Sequence, residues 1–368
     1  MISKVEHQRH GLDLIKIDND DTKIVFTNYM IQMSKNKNWL DYYGSSVNSE
    51  WMIPKIVFTN YGARIVSWKY HDNNIVLGNV VEADEFYFEE PFNFGATIGR
   101  YAGRIENASF KLDDDTFQLE SNDGQHHLHG GSHGLNRRIF DYEIVDDIGQ
   151  VKIIFTTTIK EEEDNYPGDM MVKVIHTYDA NHRWSVQYEA KSTKKTVFNP
   201  SNHVYFNLNR DNNVVYNHCI NSSALKMYML NNKHIVKEGQ SLDLHRLLDT
   251  NKVYLKDIFE SDNETLQQQI NHYNGIDHPF EFGGNELTID NSEFELNIKT
   301  DMPHFVMFTF NDPQVWNNDF NIYKAHSGFS IETQYMPNDI NMYGAKAQSI
   351  LEADTLFTSK TSFQIHEK

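Results

Sequence analysis

Short runs of β-branched and aromatic residues punctuate the whole chain, and few stretches carry the 3.6-residue period of a helix. Ile56 to Asn60 reads IVFTN and turns at Tyr61-Gly62, and Ile65 to Tyr70 follows. Val151 to Ile159 reads VKIIFTTTI, Met171 to Thr177 MVKVIHT, Trp184 to Ala190 WSVQYEA and Phe305 to Phe310 FVMFTF. Successive side chains of a strand point to opposite faces, so the alternation in WSVQYEA fits a strand with one buried side. Asn, Asp and Gly between the runs are turn formers. This spacing predicts an all-β sandwich or barrel and not alternating β-α units. Leu242–Leu248 and Tyr254–Phe259 are expected to form short helices or turns. With 8 Pro and 19 Gly in 368 residues, no linker divides the sequence, so residues 1–368 are read as one domain. Asp18–Asp21, Asn209–Asn213 and Asn231–Asn232 read as loops, and Ser34 to Glu50 as a surface excursion. IVFTNYM from Ile24 resembles IVFTNYG from Ile56, but two matches do not establish a repeat.

Charge narrows the partners. A formal net charge of -19 repels phosphate backbones and anionic membranes, so neither nucleic acid nor membrane is expected. Cys219 is the only cysteine, which rules out an intrachain disulfide and suits a reducing compartment. The N-terminal segment MISKVEHQRHGLDLIK lacks an apolar signal region, and no apolar stretch is long enough to span a bilayer. The expectation is a cytoplasmic protein. Aromatic residues make up 13% of the chain; most serve the strands, and some could cover the apolar face of a sugar ring.

Five segments could carry chemistry. FGATIGRYAGRI (Phe94–Ile105) lacks the spacing of a dinucleotide loop; if extended, it puts Arg100 and Arg104 on one face. QHHLHGGSHG (Gln125–Gly134) holds His126, His127, His129 and His133, yet no HExxH or cysteine accompanies them, and the glycine pair suggests a turn exposing His129. No metal is expected there. In NPSNHVYFNL (Asn199–Leu208), Val204, Phe206 and Leu208 share the face expected to meet the core, while His203, Tyr205 and Asn207 face solvent or a cleft. In GFSIETQYMPNDIN (Gly328–Asn341), Ser330, Glu332 and Gln334 share a face, and Glu332 is either a surface carboxylate or the base of a concave site. Asp277 follows an Asn-Gly pair and is either a turn cap or a ligand. Histidines, carboxylates and an arginine suit proton transfer to and from a neutral polyol; two carboxylates leave glycoside hydrolysis open.

Taken together, these segments resemble the aldose 1-epimerase (galactose mutarotase) family from about Val57 to Asn341. The motifs GRYAGRI, LHGGSHG, YPGD, NPSNHVYFNL, GIDHPF and ETQYMPNDIN occur in family order. The resemblance implies a large single-domain β-sandwich with an open sugar cleft, acting without cofactor or metal on a free aldohexose, as a monomer or homodimer. It implies Glu332 as general base, His203 as general acid and His129 as a second histidine near the reacting end. Arg104 and Asp277 would bind the sugar, with Gln334 and Tyr205 as further substrate-binding candidates. A carboxylate near its usual pKa of about 4.3 would be ionised as a base, and a histidine near about 6.5 could carry the acid proton. The chain departs from the family at Gly103, where Asn is frequent, at Ser201, where Thr is usual, at His126-His127, and at Phe140, where Trp is common. A non-catalytic sugar-binding protein on the same sandwich is the alternative.

Overall fold

A computed structural model describes residues 2–18, 55–71, 73–78, 87–88, 90–211, 214–313 and 323–368. In it the β-branched runs pair into antiparallel ladders. The largest sheet has nine strands, in the order Asp141–Asp147, Gln150–Ile159, Met170–Asp179, Arg183–Ser192, Phe357–Glu367, Phe294–Thr300, Glu286–Asp290, Cys219–Asn221 and Lys252–Tyr254. A five-stranded meander joins Ile2–His7, Asp13–Asp18, Ile56–Thr59, Arg64–Tyr70 and Asn73–Asn74. A second five-stranded sheet runs Val236–Asp243, Leu225–Leu230, Asp277–Phe282, His304–Phe308 and Glu332–Gln334. None of the sheets closes into a barrel, so the sandwich is the all-β form adopted.

Alternation dictates which face is buried. Along Met170–Asp179, Met170, Val172, Val174, His176 and Tyr178 are buried, and the residues between them are partly or fully exposed. One hydrophobic cluster collects Met170, Val172, Val174 and Tyr178 with others from Ile15 to Ile365. At its centre Trp184 stacks on Phe363 with centroids 4.8 Å apart. Its indole N–H donates to His176 Nδ1 at 3.0 Å, so the proton of His176 sits on Nε2, which reaches the Ala63 carbonyl at 2.8 Å. Burial pushes His176 down to about 4, and this neutral histidine ties the large sheet to the meander.

Three expectations need correction. Residues 94–105 are not one extended strand: Thr97–Ile98 and Arg104–Ile105 pair with different partners, so Arg100 and Arg104 share no face. Arg100 turns inward, donating to Asp164 at 2.7 and 3.0 Å and to the Gly168 carbonyl at 2.8 Å. Asn207, expected beside His203 and Tyr205 at solvent or a cleft, is instead wholly buried, its amide donating to the Ser327 carbonyl at 2.8 Å. Finally, a helix at Glu264–His272 was missed beside the expected short ones, which form at Leu244–Leu247 and Leu255–Phe259. Asn263 caps it by accepting from Leu266 N–H at 3.0 Å, and it buries Leu266, Gln269 and Ile270. The Ser34–Glu50 excursion and the Ile24 run lie outside the described residues. Among the described residues no helix is long and apolar enough to cross a membrane.

The Arg100–Asp164 pair is almost wholly buried, with side-chain exposures of 0% and 3%. Removing one partner strands a charge in low dielectric, whereas removing both does not. Arg100→Ala should therefore cost about 3–5 kcal/mol in urea unfolding. The double variant Arg100→Met/Asp164→Leu should recover most of that loss; equal losses for both variants would contradict this account of the pair.

Candidate active site

The second five-stranded sheet forms the floor of a cleft of about 780 Å³, measured with its open mouth. Glu332, Val306, Phe308, Asp277, Pro279, Leu230 and Val236 come from its strands, and His234 from the turn that joins Leu225–Leu230 to Val236–Asp243. The walls are Pro91–Asn93, Gly103–Arg104, Leu128–His129, His203 with Tyr205, and Pro337.

Glu332 opens the strand Glu332–Gln334, pairs with Val306 and is 2% exposed. Ser330, two residues earlier, donates its hydroxyl to Glu332 Oε1 at 2.8 Å while accepting Phe308 N–H at 3.2 Å. His203 Nε2 lies 3.4 Å from the same Oε1. Burial dominates the ionisation of both groups. It pushes Glu332 up to about 8, with the Asp277 charge adding and Ser330 and Arg104 opposing. It pushes His203 down to about 4 against the pull of Glu90 and Asp277. Neither group keeps the ordinary value expected from its residue type. Between those limits the pair is neutral and holds one exchangeable proton, residing on Glu332.

The turn that carries His129 depends on two glycines. Gly130 has φ +88°, and a β-carbon there would lie 1.9 Å from the Gly99 carbonyl oxygen. Gly103, at φ +78°, would drive a β-carbon to 2.9 Å from Pro337, and its N–H instead donates to His129 Nδ1 at 3.1 Å. With Nδ1 accepting, the proton of His129 must sit on Nε2. Burial, then the charges of His203 and Arg104, hold its pKa well below the usual value. His129 is thus a fixed neutral donor whose ring stands edge-on to His203 at 5.4 Å. The ligating atoms of His129, His203 and Glu332 all lie within 4.8 Å of one another, close enough to ask whether a divalent cation fits. A metal needs a free imidazole lone pair, and Gly103 already occupies the one on His129. The set suits hydrogen bonding to a neutral ligand better than metal binding.

At the other side of the cleft, Arg104 Nε donates to Asp123 at 2.6 Å, and its Nη1 lies 3.9 Å from Asp277 Oδ2. Burial would raise Asp277, but the His234 hydrogen bond and the Arg104 charge outweigh it and hold the carboxyl below its usual range. Tyr205 lines the wall with its ring, because its hydroxyl is committed to the Phe92 carbonyl at 2.9 Å. Gln334 is fully buried, with its Nε2 beside Gly103, and does not line the cleft; neither of its amide atoms has a hydrogen-bond partner among the described residues. Of the histidine-rich segment only His129 reaches the cleft: His126 accepts from Asn107 N–H at 3.0 Å, and His127 donates to the Glu120 carbonyl at 2.8 Å.

Sequence reasoning passed over Arg64 and Glu90. They pair at 3.0 Å with 1% exposure each, and Glu90 accepts the N–H groups of Phe92 and Phe94, fixing the Pro91–Asn93 wall. The available signal was an arginine inside the otherwise apolar run ARIVSW, since a buried charge demands a partner.

The profile of the family described as "Aldose 1-epimerase" matches residues 54–364. The chain belongs to the aldose 1-epimerase family. This epimerase, an enzyme of the isomerase class, is 27% identical over 309 residues to the galactose mutarotase of Pongo abelii, covering 78% of this chain and 84% of that one. It is 25% identical over 304 residues to the aldose 1-epimerase of Haemophilus influenzae, covering 78% and 85%. The solved structure titled galactose 1-epimerase from Lactobacillus acidophilus NCFM superposes with a TM-score of 0.78 at 23% identity, covering 100% of this chain and 98% of that one, and so shares the fold. Family membership sets aside the glycoside hydrolase option.

Among the described residues, Ser330 is the one hydrogen-bond donor that favours the charged form of Glu332, so its loss should leave the proton held more tightly. In ¹³C NMR titrations of glutamate-labelled protein, Ser330→Ala should move the Glu332 transition upward from about 8; a transition at or below the parent value would contradict this role.

Proposed function

We propose that the epimerase interconverts the α and β anomers of a free aldohexose such as D-galactose or D-glucose. The observation that carries this reading is the desolvated Glu332–His203 pair, 3.4 Å apart at the cleft floor with one exchangeable proton between them. Opening a cyclic hemiacetal removes a proton from the C1 hydroxyl and adds one to the ring oxygen O5. Rotation about C1–C2 then turns the other carbonyl face, and closure reverses the transfers. No electrons leave the sugar, so the reaction calls for no redox cofactor. Proton count matters more than its resting location: moving the proton from Glu332 to His203 creates a carboxylate to accept from O1 and an imidazolium to donate to O5. Sugar hydroxyls entering the cleft would favour that shift by hydrogen bonding to the new carboxylate. Each group is worth about 10²–10⁴ in rate.

In this reading His129 Nε2–H donates to the sugar near the reacting end, Arg104 and Asp277 hold ring hydroxyls, and Tyr205 covers an apolar face. A protein that only binds sugar gains nothing from burying an acid–base pair, which costs solvation. The reading extends to one continuous domain, supported by the cluster that runs from Ile15 to Ile365.

The test is polarimetry of freshly dissolved α-D-galactose and α-D-glucose, with and without protein. Acceleration beyond the buffer rate is expected; measurable binding without acceleration would leave the sugar-binding alternative. The pH profile sharpens it. Below about 4 both groups are protonated and no base remains; above about 8 the proton is gone and no acid remains. Hence kcat/KM should hold a plateau between those limits, which belong to the pair as a whole. An alkaline limb near 6.5, the ordinary histidine value, would contradict the buried-pair account.

A further inference from the structure

His234 lines the cleft, yet none of the motifs contains it. It sits in the Asn231–Ile235 turn, a tightly bonded unit. Asn231 N–H donates to the Ile235 carbonyl at 2.8 Å, and the Asn231 side-chain oxygen accepts from Lys233 and Ile235 N–H at 2.9 and 3.2 Å. The missed helix Glu264–His272 braces this turn from behind. Gln269 takes both backbone groups of Leu230, at 2.8 and 3.3 Å, and the Tyr273 hydroxyl donates to the Asn231 carbonyl. His234 adopts a left-handed φ of 61°, packs its ring edge-on to Tyr273 at 4.6 Å, and keeps 38% of its side chain exposed.

Its Nδ1 lies 3.2 Å from Asp277 Oδ2. Because that carboxylate is ionised and can only accept, Nδ1 is the donor, and Nε2 is the ring's remaining polar atom. Among the described residues no hydrogen bond reaches Asp277 Oδ1. Among the described residues the dyad therefore keeps one polar atom on each member, Nε2 and Oδ1, with no protein partner, in a cleft that both residues line.

We infer that His234 is a specificity-determining residue, whose Nε2 reads a hydroxyl at the non-reacting end of the sugar alongside Asp277. The inference rests on the sugar-epimerase reading of the cleft but concerns recognition, not proton transfer. A neutral hydrogen bond of this kind is worth about 3- to 10-fold in affinity.

Two substitutions separate reading the sugar from supporting Asp277. Asparagine tolerates left-handed φ and keeps an N–H where Nδ1 stands, but has nothing at Nε2. His234→Asn should raise both KM and the calorimetric dissociation constant for the preferred aldose about 3- to 10-fold, with kcat within about twofold. His234→Ala, which also frees Asp277, should weaken binding further. Across a panel of deoxygalactoses, each lacking one hydroxyl, the difference between parent and His234→Asn should vanish for a single sugar and persist for the rest. An asparagine variant that matches the parent in KM and affinity would overturn the inference, as would a difference that survives every deoxy sugar. Calorimetry reads affinity without turnover, so a parent that binds sugar but fails to accelerate mutarotation would defeat the proposed reaction while still deciding the role of His234.

Discussion

The cleft is organised around a carboxyl group that water does not solvate. Glu332 is buried at the start of a short strand, where the Ser330 hydroxyl donates to it and His203 Nε2 lies 3.4 Å away. An ionised carboxylate in such a place would be expensive, and an imidazolium beside it equally so, hence both groups rest neutral. Neutrality here is not inactivity. In the proposed reaction the pair would hold the proton that a hemiacetal exchanges between two of its oxygens, and a change of hydrogen bonding would transfer it. Burial thus sets the reserve of proton and base together, and pins it at a geometry fixed by sheet register.

That geometry is enforced by backbone pairing and by groups beyond the pair. Glu332 is placed by pairing with Val306 in the sheet that also carries Asp277. His203 is placed from outside that sheet, through backbone bonds to Ala96 and Gly95. The Arg64–Glu90 pair locks the wall at Pro91–Asn93 by satisfying backbone N–H groups of Phe92 and Phe94. His129 is aimed by a turn in which Gly130 passes against Gly99, while Gly103 fixes the tautomer. Without a side chain, Gly103 offers only its N–H to His129, and among the described residues the neighbouring Gln334 amide has no partner.

Much of this was legible from residue patterns. The period-two runs translate into ladders nearly residue for residue, since one face of each must be buried. Glu332, His203, His129, Arg104 and Asp277 converge on one cleft, as the ordered motifs imply, and Tyr205 joins them through its ring. What failed has a common cause, namely dependence on the third dimension. Arg100 and Arg104 look equivalent in GRYAGR, but a buried partner at Asp164 draws one inward. The Glu332 and His203 ionisations could not be read from residue type, because desolvation is a property of the layers above and below them. Gln334 shares a strand face with Glu332, yet its side chain is wholly buried and does not line the cleft. The helix Glu264–His272 was masked by its run of glutamines, although Asn263 and the Leu266/Ile270 spacing marked it. His234 carries no motif because its value arises only where a turn meets Asp277.

The central claim is that Glu332 moves a proton during ring opening and does not merely hold the sugar. Glu332→Gln keeps the size and much of the hydrogen bonding of the side chain but cannot accept that proton. Polarimetric kcat for this variant, with sugar affinity measured calorimetrically on the same folded protein, separates the two roles. The account predicts a fall in kcat of about 10²–10⁴ with affinity largely retained. A Glu332→Gln protein whose kcat matches the parent's would contradict it.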